Sequence, residues 1–309
     1  VEDLQEHSGA SIVIAGEYQP PVVHALAHAM NEKLGNVGKT VIYTETPEVA
    51  PVNQLESIKE LVSDMGSGNV KTLVILGGNP VYNAPAELAF GDALANVDTS
   101  VHVSLYLDET SQVCTWHVPG THFLETWGDV RAYDGTVSII QPLIAPLYGG
   151  KTSLEVVAAL MGEADAVPYD LLRAYWNEHL EETSERAWEL ILQDGIIHDS
   201  AFPEKEVAVT ASSFPSSSKG SGLEVVFRPD PSIWDGAYTN NAWLQEVPKP
   251  LTKITWDNVI LISPATAVAY GVMSEDVVQL NFAGTWVQGP VWVMPGHADD
   301  SVTVHLGFG

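Results

Sequence analysis

Short β-rich runs separated by stretches of helical spacing constrain this chain more than any other feature. The runs are Ser11–Ala15, Thr40–Tyr43, Thr72–Leu76 and Val101–Leu107. Between them, Val22–Leu34 places Val23, Leu26, Ala27, Met30 and Leu34 at helical intervals and stops at Gly35. Leu55–Met65 does the same with Leu55, Ile58, Leu61, Val62 and Met65, and Pro85–Leu94 opens a further helix on a proline. Strands that alternate with helices bury both faces of a mostly parallel sheet, so the first part is expected to be a Rossmann-like α/β domain containing all four runs.

The pattern then changes twice. From Thr152 to Asp194 it is helical, in three segments: Leu154–Met161, Tyr169–Leu180 and Ser184–Leu192. Ser212–Gly222 (SSFPSSSKGSG) has the composition of a linker. Beyond it, Leu223–Phe227, Val259–Ile262, Val277–Phe282, Thr285–Val293 and Val302–Leu306 are strand-like, with Thr266–Tyr270 as a short helix. Short strands divided by Pro and Gly predict a small barrel or sandwich. The expected organisation is an α/β domain over 1–150, a helical segment packed on it over 151–212, and a β-barrel domain over 213–309.

Charge narrows the partners. The chain has 13 Lys and Arg against 40 Asp and Glu, a formal net of −27. Residues 1–212 hold 9 basic and 31 acidic side chains, and residues 213–309 hold 4 and 9. Such a field repels phosphate, which disfavours nucleic acid and anionic membrane surfaces. No apolar run reaches the roughly 18 residues needed to span a bilayer, so no direct membrane insertion is expected. A lone cysteine, Cys114, excludes an internal disulfide and a cluster held by cysteines of this chain. The chain opens on Val-Glu-Asp and reads as a piece of a longer protein.

Several motifs carry chemistry in other contexts. Gly77-Gly78-Asn79-Pro80 follows a β-rich run, where glycines let a ligand approach the backbone; a tight strand–helix turn is the plainer reading. Ala145–Thr152 (APLYGGKT) meets a relaxed phosphate-loop pattern, with Val103–Asp108 as its partner strand. Pro142 and Pro146 stiffen that approach, and a loop before an ordinary helix start explains it as well. Cys114, His117 and His122 have metal-ligand spacing, and so do His24 and His28 on one helix face, but packed histidines are the simpler reading of both sets. The first strand is followed by Gly16-Glu-Tyr-Gln-Pro-Pro21, which puts a carboxylate and two prolines where a dinucleotide loop needs N–H groups.

Longer stretches resemble a known family. Asn240–Asn258 (NNAWLQEVPKPLTKITWDN), followed by Ile262-Ser-Pro264, Gly271, Glu275-Asp276 and Gly289-Pro290, resembles the last domain of the dimethyl sulfoxide reductase superfamily of molybdopterin oxidoreductases. Ala15–Ala25, Leu34–Val41, Gly77–Pro85, Asp108–Ser111, Trp116–Pro119 and Trp127–Gly135 resemble one branch more closely, the large iron–sulfur subunit of alternative complex III. The resemblance implies a double-psi β-barrel for the last domain and, for the whole, a molybdopterin-oxidoreductase-like region of a quinol-oxidising complex. That complex lies on the periplasmic side of the bacterial inner membrane and passes electrons to a cytochrome or oxidase, with other subunits of the membrane complex as partners. The iron–sulfur clusters of that subunit belong to a ferredoxin-like region with no counterpart here, and its molybdopterin-like region is regarded as structural. No catalytic residue carries over, and no cofactor is expected in this piece. Were a pterin dinucleotide bound, as in an active molybdopterin-dependent relative, Gly77, Gly78, Asn79 and Asn241 would be the residues to line it. Cys114, His117 and His122 remain the candidates for a metal.

Overall fold

The computed structural model describes residues 1–208, 222–282 and 284–308. It divides into two compact units, Val1–Asn79 with Leu88–Ser216, and Pro80–Glu87 with Ser217–Gly309. Of the stretch read as a linker, all but Gly222 lies outside the described residues.

The first unit contains two small sheets. In one, β1 (Thr72–Leu76), β2 (Thr99–Ser104) and β3 (Trp116–Pro119) run parallel in the order β1-β2-β3, with Val74 opposite Val101 and Val101 opposite Trp116. The expectation of four strands in one sheet is half met. Ser11–Ala15 and Thr40–Tyr43 are not strands. Their backbones find partners locally instead. The buried amide of Asn31 accepts from Val13 N–H at 2.9 Å and donates to Val13 C=O at 2.7 Å, much as a neighbouring strand would. The carbonyl of Asn36 collects the N–H groups of Lys39, Thr40 and Val41. Side-chain amides and tight turns have outcompeted a ladder that β-propensity alone favoured. The Gln54–Gly66 helix forms as expected, with the Asn53 side chain capping Glu56 N–H. The single helix expected over Pro85–Leu94 breaks at Ala89, whose φ of 45° is left-handed, and resumes as Phe90–Leu94.

The other sheet was not foreseen. β4 (Gly128–Arg131), β5 (Val137–Ile140) and β6 (Ile196–Ile197) are antiparallel in the order β4-β5-β6. The helices Pro168–His179 and Glu185–Asp194 contribute the rest of one core, in which Val137, Ile139, Leu172, Trp176, Trp188 and Ile197 pack together. Both indoles have partners: Trp188 donates to the Tyr169 hydroxyl at 3.0 Å and Trp176 to the Asp129 carboxylate at 2.9 Å. The Arg173 guanidinium lies 4.7 Å from the Trp188 ring centre.

In the second unit, β7 (Glu224–Pro229), β8 (Ile260–Ile262), β9 (Val277–Phe282), β10 (Thr285–Val293) and β11 (Ser301–Leu306) form one mixed sheet in the order β7-β11-β8-β10-β9. Ile260, Ile262, Ala267, Val291, Val302 and Val304 form its core, and the Pro264–Tyr270 helix supplies Ala267. The outer strands β7 and β9 do not pair with each other, so among the described residues no barrel closes. The expected double-psi barrel is not shown: among the described residues these strands form an open five-stranded sheet. The side chains of β7 and β9 are mostly exposed, as they would not be on the inside of a closed wall. Among the described residues no helix is long and apolar enough to cross a membrane.

Candidate functional site

All three strands of the parallel sheet end on the same side, and the polar chemistry of the first unit gathers there. β1 leaves the sheet through Gly77 and Gly78, with φ of 71° and 69°. Two successive left-handed residues favour glycine, and a Cβ at either would meet nothing within 4 Å. Gly77 N–H still donates to Val103 C=O at 2.8 Å. Next, Asn79 latches the turn to the Glu109–Val113 helix. Its amide oxygen accepts from Thr110 N–H at 3.1 Å and Thr110 Oγ1 at 2.7 Å, and its amide nitrogen donates to Glu109 at 2.6 Å.

Behind the turn lies His102, which is fully buried on the central strand β2. Its Nε2 is 3.0 Å from Gly78 C=O and its Nδ1 is 2.8 Å from Ser111 Oγ. A carbonyl only accepts, so in the neutral ring Nε2 carries the proton and Nδ1 accepts from Ser111. Ser104 Oγ lies 3.1 Å from Ser111 Oγ and 3.2 Å from His117 Nε2, and donates to Tyr106 C=O at 2.7 Å. A cluster of polar contacts thus runs from the glycine turn through His102, Ser111 and Ser104 to His117, with Tyr106 C=O in reach of both serine hydroxyls. Sequence reading missed His102 and Ser111. The available signal was a histidine inside an otherwise apolar β run, where a polar ring must find buried partners.

Beside this network a cleft of about 490 Å³ opens at the carboxyl ends of the strands. Gly77, Ser104, Thr121, Trp127, Asp129 and Lys151 are among the residues that line it. Its position is where open α/β sheets take ligands.

The phosphate-loop pattern over Ala145–Thr152 is not realised. Lys151 Nζ is bound to Glu155 at 2.8 Å. Thr152 and Glu155 close a capping box, Thr152 N–H donating to Glu155 and Glu155 N–H to Thr152 Oγ1. The helix start has supplied its own anion. Burial raises the Glu155 carboxyl, but the bonds from Lys151 and Thr152 outweigh it and hold the group below the ordinary carboxylate range. A Cβ on Gly150 would lie 2.9 Å from Gly120 C=O, so this loop is packed backbone to backbone against the end of β3 rather than wrapped around a ligand.

The metal candidates have separate partners. Cys114 is half-buried at the end of the Glu109–Val113 helix; burial raises its thiol, Asp108 adds to the effect and Ser100 opposes it. His117 is held by Ser104, while His122 Nδ1 accepts from Leu124 N–H at 3.2 Å. Of the other pair, His28 is bound to the Tyr43 hydroxyl at 2.8 Å. Among the described residues, no group of three or more His, Cys, Asp and Glu side chains is placed to hold a metal ion. Asn241 lies in the second unit, where its side chain caps the Ala242–Glu246 helix through Leu244 N–H at 3.1 Å.

Comparison with known proteins adds two findings. The chain is 27% identical over 257 residues to the menaquinone reductase, molybdopterin-binding-like subunit of Nitratidesulfovibrio vulgaris Hildenborough. It is a distant homologue of that subunit. The match covers 77% of this chain and 36% of the relative, so the chain spans about a third of the relative's length. Its fold is similar to that of acetylene hydratase from Pelobacter acetylenicus, with a TM-score of 0.60 at 16% identity over 80% of this chain and 39% of that one. No family model matches.

Proposed function

We propose that this chain is the molybdopterin-oxidoreductase-like region of a respiratory electron-transfer complex, structural in role and without a pterin of its own. The observation that carries the reading is the occupied state of the glycine turn. A pterin dinucleotide would bring a diphosphate, which needs N–H donors and positive charge. Here the Asn79 amide oxygen accepts twice from Thr110, and one N–H of the amide nitrogen is given to Glu109. A carboxylate, Glu109, stands at the turn, and Lys151, the one basic residue lining the cleft among the described residues, is paired with Glu155. The residues present do not fit the group, although the open faces of Gly77 and Gly78 are what a ligand approaching the backbone would require.

Similarity to a protein named as a menaquinone reductase subunit supports the quinone/quinol couple as the chemistry of the assembly. Within that couple, the resemblance to alternative complex III supports quinol oxidation on the periplasmic side of a bacterial inner membrane, with iron–sulfur clusters carried elsewhere in the complex. The second reading, a piece of an active molybdopterin enzyme with Gly77, Gly78, Asn79 and Asn241 toward the pterin, is favoured only by the open glycines. Molybdenum and tungsten analysis of the natural full-length protein, together with the fluorescence of oxidised pterin, separates the two. The structural reading expects neither metal nor pterin; one equivalent of either per chain overturns it.

A further inference from the structure

We propose that Asp230, Lys249 and His305 form an acid-sensitive latch in the second unit, which fastens the last strand, β11, at neutral pH and loosens it when the imidazole takes a proton. The latch is built at the end of the β7–β11 pair, where His305 lies opposite Arg228 and Leu306 opposite Pro229. Asp230 follows directly and is 1% exposed. Its Oδ1 accepts from Ser232 N–H at 2.8 Å and Ile233 N–H at 3.1 Å. Its Oδ2 receives no hydrogen bond and is paired across 3.6 Å with Lys249 Nζ. Lys249 is buried as well. Its ammonium donates to Asp257 C=O at 3.2 Å and lies 5.3 Å from the centre of the Phe308 ring. Asn258 donates to His305 C=O at 2.9 Å. The segment that carries Lys249 is thereby tied both to β11 and to the chain just beyond it.

One buried carboxylate beside one buried ammonium is tolerable because the two charges offset each other; a further charge is not. The charged groups that bear on His305 are Asp230, Lys249 and Arg228. With the ring neutral, two cations share one carboxylate. A proton on the ring makes three cations against that same carboxylate, in a half-buried place where the imidazolium also loses water. Burial is the main influence on the ring; Asp230 opposes it, Lys249 and Arg228 add to it, and the ring in the fold takes its proton below the ordinary imidazole range. The unfolded chain binds that proton more readily. The stability that comes from the neutral ring is therefore complete above the ordinary value, about 6.5, and is lost as the pH falls through the folded value. The repulsion acts on the β7–β11 seam, because Arg228 and His305 sit opposite each other across it. Histidine is the side chain whose charge ordinarily changes in this range, so the same fold is fastened or loosened by small changes of pH.

The test is amide hydrogen exchange on the whole 309-residue chain at about pH 7.5 and about pH 5.5, corrected for the intrinsic pH dependence of exchange. β7 and β11 should open several-fold more often at the lower pH, while β1 and β2 of the first unit keep their protection. His305→Gln, which has no ring to protonate, should open equally at both. Arg228→Gln should narrow the difference, because one opposing cation is gone. Proton NMR of the native chain reads the ring directly and needs no variant to fold: the His305 imidazole should titrate below the ordinary value. A pH response of the seam that survives in His305→Gln, an equal response in the strands of both units, or a His305 ring that titrates at or above the ordinary value overturns the latch.

Discussion

Two regions of the first unit bury their residues for different reasons. Around Trp188 the core is apolar, filled by Val137, Ile139, Leu172, Trp176 and Ile197, with the indole N–H groups as the polar exceptions. At the carboxyl end of the parallel sheet the buried polar residues are His102, Ser104, Thr110 and Ser111. The first region obtains its stability from area removed from water and from close packing. The second gains little net stability from its hydrogen bonds, because water would supply equivalent ones. What it gains is geometry: once each group has a partner, moving the glycine turn leaves at least one of them without. The apolar core holds the unit together, and the polar network decides the shape of one turn within it.

Breaking each region in turn tests that contrast. Trp188→Ala should have the largest effect, a loss of about 3–5 kcal/mol in denaturant unfolding, because it removes a fully buried indole and leaves a cavity. His102→Leu should cost less, about 1–3 kcal/mol, from the Gly78 carbonyl left without its ring donor; Ser111 keeps Tyr106 C=O as a partner. It should also do what the tryptophan variant does not: speed amide exchange at Gly77–Asn79 well beyond the global change. Equal protection of that turn in both variants would defeat the comparison.

Glu155→Gln should cost about 1 kcal/mol by weakening the capping box. The folded carboxyl lies below its ordinary value, so the folded state binds this proton less readily than the unfolded one. Its contribution is therefore complete above the ordinary carboxylate value and is lost as the pH falls through the folded value. Thermal scans of the native chain and of Glu155→Gln should converge in acid and separate toward neutrality. A difference in Tm that is the same at every pH would mean that the proton on Glu155 is irrelevant to the cap. The smallest effect is that of salt. With 40 acids against 13 bases, raising sodium chloride should lift the Tm of both regions together, most steeply at the low end, where the screening length shrinks fastest. A flat response would show the charge to be already compensated in the fold.

The contrast also explains what was legible in the sequence. Periodicity found the helices at Gln54–Gly66, Ser153–Leu160 and Pro168–His179, because an apolar stripe is both the signal and the cause of their packing. It found β1 and β2 for the same reason. It placed Ser11–Ala15 and Thr40–Tyr43 in the sheet and was wrong, because the partner of Val13 is one asparagine side chain, and a pattern of residue types carries no record of that. The antiparallel sheet β4-β5-β6 was missed because β6 is two residues long and joins β5 from far along the chain. At the candidate site, Gly77, Gly78 and Asn79 were legible as a turn. Their occupants, Thr110, Glu109 and His102, were not, since they are brought there by two other elements.

The order of strands in the second unit has a consequence for how the protein is made. β11 sits between β7 and β8 and is bonded to both, Ser301 lying opposite Glu224 and Val302 opposite Ile262. Among the described residues β7 pairs with β11 alone, so until Ser301–Leu306 exists it lacks that neighbour and the core residues Val302 and Val304 are missing. The unit also includes Pro80–Glu87, made long before. On the ribosome, then, this unit cannot close as its strands emerge one by one. The nascent segment from Glu224 onward must wait, uncommitted, for its last strand to clear the exit tunnel, and long-range closures of this kind are the slow ones, during which apolar edges stay open to misassembly and to chaperones.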